Sequence, residues 1–297
     1  MAASPQLNNV IQILRERKAK PPKTTDEARL RYEMLVSSFQ IDDDIHTEKV
    51  GAGGVAAEWI VAAGAENGST LLYLHGGGYV MGSIRSHREM LSRVSKAAGS
   101  RVLALDYRLA PEFSFPAPVD DTVAAYRWLL SKGTDPKTIV IGGDSAGGGL
   151  MVSALVALRY LGEPTPAAGV GLSAWTDMEA TVQSFAANAE SDPFVDRELL
   201  CRIAKTYLAG KDPRAPLASP IHADLSGLPP LLLQVGSIET LLDDTTVLAK
   251  KAEEAGVEVK VDVWDDMPHV WQQFAAILPE GQQAIERIGD FMRKHTG

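Results

Sequence analysis

One serine in this sequence lies where a nucleophile could be activated. Ser145 is the centre of Gly143-Asp144-Ser145-Ala146-Gly147, which follows an apolar run at Thr138–Ile141 and precedes a predicted helix over 146–161. A G-x-S-x-G turn between a strand and a helix strains the serine backbone and exposes its hydroxyl. The flanking glycines let neighbouring backbone approach closely. The alternative is a turn that packs or binds phosphate, but a P-loop would require a lysine that this turn lacks. Ser145 is therefore the candidate nucleophile.

A second glycine-rich segment could stabilise an oxyanion. His75-Gly76-Gly77-Gly78 follows an apolar run at Thr70–Leu74. Acyl transfer creates a negatively charged oxygen that needs backbone N–H donors about 3 Å away. We expect Gly77 and Gly78 to supply two donors, with Gly76 shaping the turn. The N–H of Ala146, directly after the serine, is the expected third donor. His75 is interpreted as a structural hydrogen-bonding residue of this loop.

The general base is expected in the last loop of the fold. Among the six histidines, only His269 follows the last predicted strand, in Asp265-Asp266-Met267-Pro268-His269. Chain order serine, acid, histidine is typical of strand–turn–helix serine hydrolases. A loop at the strand ends also lets the imidazole reach the serine proton. His269 is the candidate base, although an isolated histidine is more often a surface residue.

The acid that orients this base has three candidates. Glu239 lies in the loop directly after the predicted strand Leu231–Val235, whereas Asp243 and Asp244 open the next helix. Aspartates in a first turn commonly cap the helix and complement its dipole, and that role is preferred for both. A carboxylate needs only to fix the imidazole tautomer and stabilise its cation, which glutamate can also do. Glu239 is chosen, with Asp243 and Asp244 left open.

Alternating elements around these residues predict one α/β domain over residues 1–297. Continuous apolar strands separated by helices indicate a mostly parallel sheet, here of eight strands, with helices on both faces. Sites in such sheets lie at the carboxyl ends of the strands. Strands are predicted at 41–49, 55–62, Thr70–Leu74, Arg101–Asp106, Thr138–Ile141, Gly169–Ser173, Leu231–Val235 and Val257–Trp264. Helices are predicted at 86–98, 118–131, 146–161, 243–255 and 281–295.

Two segments do not fit this alternation and predict a helical cap. Residues 1–40 contain helical patterns at 6–18 and 25–39, and residues 177–228 are long for a crossover and contain a helical run at 196–209. Both segments precede or interrupt the strands, so we expect them to close over the strand ends. A turn at Gly51, Gly53 and Gly54 is expected to join the first two strands.

Composition excludes several classes of protein. The 297 residues are 45% hydrophobic, enough for one large core, and the net charge is −9. An acidic chain does not favour nucleic acid or anionic membranes. Cys201 is the only cysteine, so no intrachain disulfide can form. No secretory leader or transmembrane run is recognisable, which predicts a cytoplasmic protein without a membrane partner.

The three motifs together carry a family resemblance. His75-Gly76-Gly77-Gly78-Tyr79, Tyr107-Arg108-Leu109-Ala110-Pro111-Glu112 and Gly143-Asp144-Ser145-Ala146-Gly147 resemble those of the bacterial hormone-sensitive-lipase-like esterases, family IV of the α/β-hydrolase fold. The resemblance covers nearly the whole chain, and the two cap segments are similar to that family's two-part cap. Many members carry Asp-Pro-Leu where this chain has Glu239-Thr240-Leu241, so the acid is the departure from the pattern.

The resemblance implies a serine carboxylesterase that hydrolyses short-chain acyl esters without a cofactor or metal. It also implies a homodimer formed through the edge of the last strand, around Val257–Val263. The segment Tyr107–Glu112 would be scaffold beside the site, as we also prefer from its position. Four apolar residues are candidates for the acyl pocket, with core packing as the equal alternative: Tyr79, Val80, Met81 and Phe194.

Two other functions share this fold. A ligand receptor with an incomplete triad, such as the gibberellin receptor, lacks the histidine that is present here as His269. An amidase, a peptidase or a long-chain lipase would use the same triad, since acyl transfer is common to all of them. A comparison of acyl esters of increasing length with an amide would separate these enzymes.

Overall fold

Eight strands form a single sheet in the computed structural model, which describes residues 4–36 and 39–297. The spatial order is β1-β2-β4-β3-β5-β6-β7-β8. Only β2 runs antiparallel to its neighbours, and the other pairs from β4 to β8 are parallel. The strands are β1 Ile45–Ala52, β2 Val55–Ala62, β3 Thr70–Leu74, β4 Arg101–Leu105, β5 Ile139–Asp144, β6 Ala168–Leu172, β7 Leu231–Gly236 and β8 Val259–Trp264.

Helices cover both faces of the sheet. They are α1 Pro5–Lys18, α2 Thr25–Val36, α3 Ile84–Ala98, α4 Ala117–Ser131, α5 Ala146–Tyr160, α6 Ser184–Ala187, α7 Arg197–Leu208, α8 Leu242–Glu254 and α9 Pro279–Thr296. Apolar residues of α3 and α9 form the core on one face, among them Leu91 and Ile288. Those of α4, α5 and α8 form the core on the other, among them Val123, Leu150 and Leu248. The predicted α/β-hydrolase architecture is thereby observed.

The central strands are buried on both sides. Every residue of β3, β5, β6 and β7 is buried, which explains their continuous apolar sequences. Parallel pairing of β3, β5, β6 and β7 brings their carboxyl ends to one edge of the sheet. The loops that follow β3, β5, β7 and β8 carry the residues singled out above.

The two segments predicted to form the cap are largely helical. Residues 177–228 contain α6, α7 and a short 3₁₀ turn at Pro220–His222. Leu7, Val10 and Leu14 of α1 are buried against Trp271 and other residues of the loop after β8. The first segment is thus packed against the loop that carries the candidate base.

Several predicted boundaries differ from the structure by a few residues. Residues 41–44 precede β1, which begins at Ile45, and Gly51 lies within β1, so only Gly53 and Gly54 form the turn. Both have positive φ, +65° and +94°, which glycine adopts without strain. The predicted helix over 25–39 ends at Val36, and positions 37–38 lie outside the described residues. No helix in the described part of the chain is long and apolar enough to cross a membrane.

Candidate active site

Ser145 lies in a strained turn between β5 and α5. Its φ and ψ are 54° and −120°, a region that non-glycine residues rarely adopt. The turn is fixed on both sides, because the Ser145 N–H donates to Leu172 O at 2.7 Å and its carbonyl accepts from Trp175 N at 2.9 Å. The backbone therefore presents the hydroxyl at the carboxyl edge of the sheet, as the motif predicts.

The flanking glycines are required by close backbone contacts. A Cβ atom at Gly143 would lie 2.3 Å from Gly147 O, and one at Gly147 would lie 1.9 Å from Leu74 O. Both distances are far below van der Waals contact, so any side chain would displace the turn or β3. The local sequence thus specifies the sharp turn that exposes Ser145.

His269 joins the candidate nucleophile to the candidate acid. Its Nε2 accepts from Ser145 Oγ at 2.9 Å, and its Nδ1–H donates to Glu239 Oε2 at 2.8 Å. The side chains of His269 and Glu239 are 6% and 0% exposed, so water screens the contact between them very little. The structure brings together the three residues predicted from the sequence, in the arrangement that a base between a hydroxyl and a carboxylate requires.

The Glu239 carboxylate is fixed by further donors. Oε1 accepts from Gly236 N at 2.6 Å and from Ser173 Oγ at 2.8 Å, while Oε2 faces the imidazole. Ser173 also accepts from Val270 N at 3.1 Å, beside His269. The glutamate is therefore held in one orientation from both sides.

Opposing effects act on the imidazole. Burial disfavours the protonated ring, but the hydrogen bond and the negative charge of Glu239 outweigh burial and raise the pKa of His269 above its ordinary value. A base with a raised pKa takes a proton from a hydroxyl more readily. The carboxylate is thus placed to strengthen the base.

The three residues expected to supply oxyanion donors lie beside Ser145 in space or in the chain. Gly77, Gly78 and Ser145 line one cavity, and Ala146 begins α5 directly after the serine. Among the described residues, the N–H groups of Gly77, Gly78 and Ala146 donate to no protein acceptor. Gly77 and Gly78 have φ of +113° and +65°, and a Cβ on Gly77 would lie 2.2 Å from Met81 O. Glycine is therefore needed for the backbone conformation of this loop.

The loop before these donors is held by Asp144. Its Oδ1 accepts from Gly76 N at 2.9 Å and from Tyr73 OH at 2.8 Å, and a Cβ on Gly76 would collide with Oδ2 at 2.1 Å. The Tyr107 hydroxyl donates to His75 O at 2.6 Å. Asp144 thus supports the loop, and the Tyr107–Glu112 segment has the scaffold position expected for it. Asp106 is exposed and does not line the cavity.

His75 is also structural in its contacts. Its Nδ1–H donates to Gly76 O at 2.8 Å, and its ring stacks on Tyr107 with centroids 4.3 Å apart. Complete burial, with a lesser effect from His87, lowers the pKa of His75 to about 3. A permanently neutral ring without contact to Ser145 is suited to holding the loop.

The capping role expected for Asp243 and Asp244 is wrong. α8 has no side-chain cap. Asp244 Oδ1 instead accepts from the N–H groups of Thr176 and Asp177 at 2.7 and 2.9 Å, and Asp243 Oδ2 accepts from Ser184 N at 2.9 Å. The chain that follows β6 passes directly over the start of α8. Both carboxylates therefore accept hydrogen bonds from that chain and fix its position. Neither contacts His269.

A cavity of about 60 Å³ lies over Ser145 and His269. Met81 and Phe194 line it, as expected for the acyl pocket. Tyr79 and Val80 do not: Tyr79 is buried and stacks on Tyr207 with centroids 3.9 Å apart, and Val80 is 7% exposed. The positive φ of Tyr79, 62°, turns its side chain into the core. Both predicted segments reach the cavity, since its remaining lining includes Leu14, Tyr32, Leu35, Val195, Leu199, Leu200 and Ile203.

Sequence reasoning missed three polar residues that support the site. Ser173 holds Glu239, Asn188 Nδ2 donates to Glu239 O at 2.7 Å, and Asp192 Oδ2 accepts from Thr240 N at 2.7 Å. The position of Ser173, directly after β6 and between the strands that carry Ser145 and Glu239, was the only available signal. Asn188 and Asp192 lie about fifty positions before the residues that they contact, and no local sequence pattern reveals contacts of that range.

One group of possible metal ligands lies outside this site. Asp177, Glu179 and His222 each bring a ligand atom within 4.8 Å of the others. Both Asp177 oxygens already accept hydrogen bonds, from the N–H groups of Glu179 and Thr181. None of the three lines the cavity over Ser145.

Comparison with known proteins defines the class to which this fold and site belong. A sequence model of a protein family described as alpha/beta hydrolase fold matches residues 71–273. That match spans the loop after β3, Ser145, Glu239 and His269. The protein is an α/β hydrolase by fold.

Comparison with individual proteins identifies the family within this fold. The crystal structure of an esterase from the bacterial hormone-sensitive lipase family is 64% identical, with 100% of both chains covered and a TM-score of 0.98. An acetyl-hydrolase of Streptomyces hygroscopicus is 45% identical over 99% of this chain and 98% of its own. An esterase of Acinetobacter venetianus is 33% identical over 87% and 86% of the two chains. The chain therefore belongs to the bacterial hormone-sensitive lipase family, as the sequence motifs indicate.

Proposed function

We propose that this protein hydrolyses short-chain acyl esters through an acyl-enzyme formed on Ser145. The protein is a carboxylic ester hydrolase, the activity named for its esterase relatives. The observation that supports the proposed mechanism is the continuous chain of contacts from Ser145 Oγ to His269 and from His269 to Glu239. Apart from the ester and water, the steps below use only groups of this chain.

Acylation begins when His269 takes the hydroxyl proton. Ser145 Oγ attacks the ester carbonyl carbon, its proton passes to His269 Nε2, and the carbonyl oxygen becomes an oxyanion. Glu239 stabilises the imidazolium and keeps Nδ1 protonated. His269 then gives the proton to the leaving alkoxide, which departs as the alcohol.

Deacylation repeats these steps with water. His269 takes a proton from water, the hydroxide attacks the acyl carbonyl, and the proton returns to Ser145 Oγ as the acid leaves. In both halves the oxyanion accepts from the N–H groups of Gly77, Gly78 and Ala146. Each such donor contributes about 10²–10³ in kcat in comparable sites.

Cavity size supports a short acyl group. The space of about 60 Å³ over Ser145 is bounded by apolar side chains such as Met81 and Phe194. We propose that the described parts of residues 1–40 and 177–228 together form the cap that closes this space. Lys18 joins them, because its Nζ donates to Asp192 O at 3.0 Å and Val195 O at 3.2 Å.

A homodimer through β8 is part of the proposal. β8 is the edge strand of the sheet beyond β7, and Val263 is 47% exposed on it. An unpaired edge with an exposed apolar residue can add a strand from a second copy. Sedimentation of the wild type beside a Val263→Lys variant tests this, since the variant should sediment as a monomer.

Hydrolysis of 4-nitrophenyl butyrate by the wild type and by Ser145→Ala tests the proposed mechanism. The wild type should turn over rapidly, and the variant should lose nearly all turnover while keeping the same melting temperature. An alanine variant with wild-type activity would disprove the nucleophile. Acyl esters of increasing length and a matched anilide would separate an esterase from a lipase or an amidase.

A further inference from the structure

A second cavity, of about 270 Å³, adjoins the cavity over Ser145. Tyr32, Met81, Phe194 and Leu199 line both spaces. We call this second space the outer chamber. Since the two spaces share these walls, a group attached to an ester held at Ser145 would pass these side chains to reach the outer chamber.

The outer chamber is electropositive although the chain is acidic. Five cationic and two anionic side chains line it, in a protein whose net charge is −9. The anionic pair is Asp196 and Glu198, and the cations are Arg17, Lys18, Lys20, Arg31 and Arg202. This local excess of positive charge is opposite in sign to the net charge of the whole chain and lies next to the cavity over Ser145.

Two of these cations have structural partners. Lys18 donates to two carbonyl groups of residues 192–195, and Arg31 pairs with Glu27 at 2.5 Å. Asp196 is also occupied, because it caps α7 by accepting from Leu199 N at 2.8 Å. These contacts account for the positions of Lys18 and Arg31 without a ligand.

The other three cations lack a carboxylate partner among the described residues. Arg17 is partly buried, and the only hydrogen bond of its guanidinium to the described chain is to Arg31 O, at 2.9 Å. Burial, together with the nearby Arg31, lowers the pKa of Arg17, whose charge an adjacent anion would stabilise. Lys20 and Arg202 are exposed at the rim, where no described side chain pairs with them. A partly buried guanidinium without a counterion is unusual, since buried charges are generally paired.

We infer that the preferred substrates are esters with an anionic group remote from the scissile carbonyl, such as a carboxylate, sulfonate or phosphonate. The inference rests on the proposed function, since it assigns a substrate class to the same Ser145 site. Arg17 would contact the anion, and Lys20 and Arg202 would attract it at the rim. A guanidinium suits these groups because its planar donors match their oxygens.

Electrostatic attraction between the outer chamber and an anionic ester has two measurable consequences. Charge in the outer chamber should lower KM for anionic esters and leave kcat nearly unchanged, because the cations lie away from the reacting carbonyl. The preference should also fall as salt rises, since the Debye length shortens from about 10 Å at 0.1 M to about 3 Å at 1 M.

The test compares charged and neutral esters of one shape. In the first pair, neutral 4-nitrophenyl valerate is compared with mono(4-nitrophenyl) glutarate, which carries a carboxylate on the acyl side. In the second pair, neutral methyl 4-acetoxybenzoate is compared with 4-acetoxybenzoate, which carries a carboxylate on the alcohol side. The ratio of kcat/KM for the charged ester to that for the neutral ester is measured at low and high salt. The pair with the higher ratio shows which side of the ester occupies the outer chamber.

Variants then test the named residues. Arg17→Gln and the double variant Lys20→Gln with Arg202→Gln should each reduce that ratio roughly threefold to tenfold at low salt, the range expected for single charges near a surface. Arg17→Lys keeps the charge and should retain most of the preference. Lys137→Gln removes an exposed charge before β5, at the opposite edge of the sheet, and should leave the ratio unchanged.

The outcomes separate this inference from the proposed function. Normal turnover of the neutral esters, with equal ratios in the wild type and the variants for both pairs, would overturn the anionic substrate class and leave the esterase mechanism intact. If the wild type hydrolysed none of these esters, the proposed function would instead be disproved. A ratio that falls in Arg17→Gln and returns in Arg17→Lys supports the inference.

Discussion

Two buried histidine–carboxylate pairs lie on opposite sides of the Ser145 turn. His269 Nδ1 is 2.8 Å from Glu239 Oε2, and His87 Nε2 is 3.2 Å from Asp144 Oδ1. Burial opposes protonation of both rings, and in each the carboxylate outweighs burial and raises the pKa. By charge, burial and distance the two pairs are alike.

They differ at the second ring nitrogen. His269 Nε2 faces the Ser145 hydroxyl at 2.9 Å, whereas His87 Nδ1 lies 2.9 Å from the hydroxyl oxygen of Ser86 and 3.1 Å from the carbonyl oxygen of Ser83. Ser145 lines a cavity and can give its proton to the ring, whereas Ser86 is buried and its hydroxyl donates to Ser83 O at 2.9 Å. The comparison teaches that a histidine–carboxylate pair is reactive only when the other nitrogen meets a proton donor that the reaction can use. The His87–Asp144 pair instead holds Gly76 and the oxyanion loop.

The largest expected effect comes from Glu239→Gln. A neutral amide does not fix the imidazole in the tautomer with a proton on Nδ1, and it does not stabilise the imidazolium. We therefore expect kcat on 4-nitrophenyl butyrate to fall by about 10⁴, with KM changed little. The pH dependence adds a direction. Since Glu239 raises the pKa of His269, its removal should move the acid limb of kcat/KM to lower pH. An unchanged rate would remove Glu239 from the triad, and Asp243→Asn is the matched control.

Ser173→Ala should have a smaller effect on the same pair. It removes one donor to Glu239 Oε1 but leaves Gly236 N in place at 2.6 Å. A hydrogen bond to a charged group contributes about 1.5–3 kcal/mol, so we expect a loss of roughly tenfold in kcat and a lower melting temperature. Steady-state kinetics and thermal unfolding of the variant check both, and a loss as large as that of Glu239→Gln would contradict the secondary position given to Ser173.

His87→Gln should separate stability from proton transfer. Breaking a buried pair leaves Asp144 with one fewer donor and should cost about 3–5 kcal/mol of stability. The rate should fall less than tenfold, and the acid limb of kcat/KM should stay where it is in the wild type. His46→Gln, on the exposed face of β1, is the control for loss of a histidine. A shifted acid limb in His87→Gln would mean that both pairs act in catalysis.

Asp244→Asn should change only the pH dependence of stability. Burial raises the pKa of Asp244 to about 8, so the folded chain binds a proton there that the unfolded chain loses at about pH 3.8. The free energy of unfolding from this group therefore falls as pH rises between those values. Asparagine carries no such proton. Between pH 6 and pH 9 the melting temperature of Asp244→Asn should therefore fall by a few degrees less than that of the wild type. Equal losses in the two proteins would contradict the assignment.

Much of the fold was predictable because local patterns agree with the tertiary structure. The predicted boundaries of β3 and β4 and of α5 differ from the observed ones by at most one residue, since apolar runs and the Ser145 turn mark them. The candidate site was predictable for the same reason: parallel strands carry their loops to one edge, so chain order becomes spatial proximity. That is how Ser145, Glu239 and His269 could be chosen together.

The remaining features depend on contacts between distant segments. Tyr79 follows three loop glycines and looks like a pocket residue, yet its positive φ turns the ring onto Tyr207 of α7. Asp244 has the position of a helix cap but accepts from the chain after β6, 67 and 68 positions away. Neither partner can be read from neighbouring residues, because each is set by how α7 and the chain after β6 pack on the sheet.

Covalent labelling of the nucleophile is the most direct test of the central claim. The wild type, His269→Ala and His87→Gln are treated with diethyl 4-nitrophenyl phosphate, and the modified peptide is identified by mass spectrometry. The account predicts one diethylphosphoryl group on Ser145, formed rapidly in the wild type and in His87→Gln and very slowly in His269→Ala. A label on another residue, or equal rates in His269→Ala and the wild type, would contradict it.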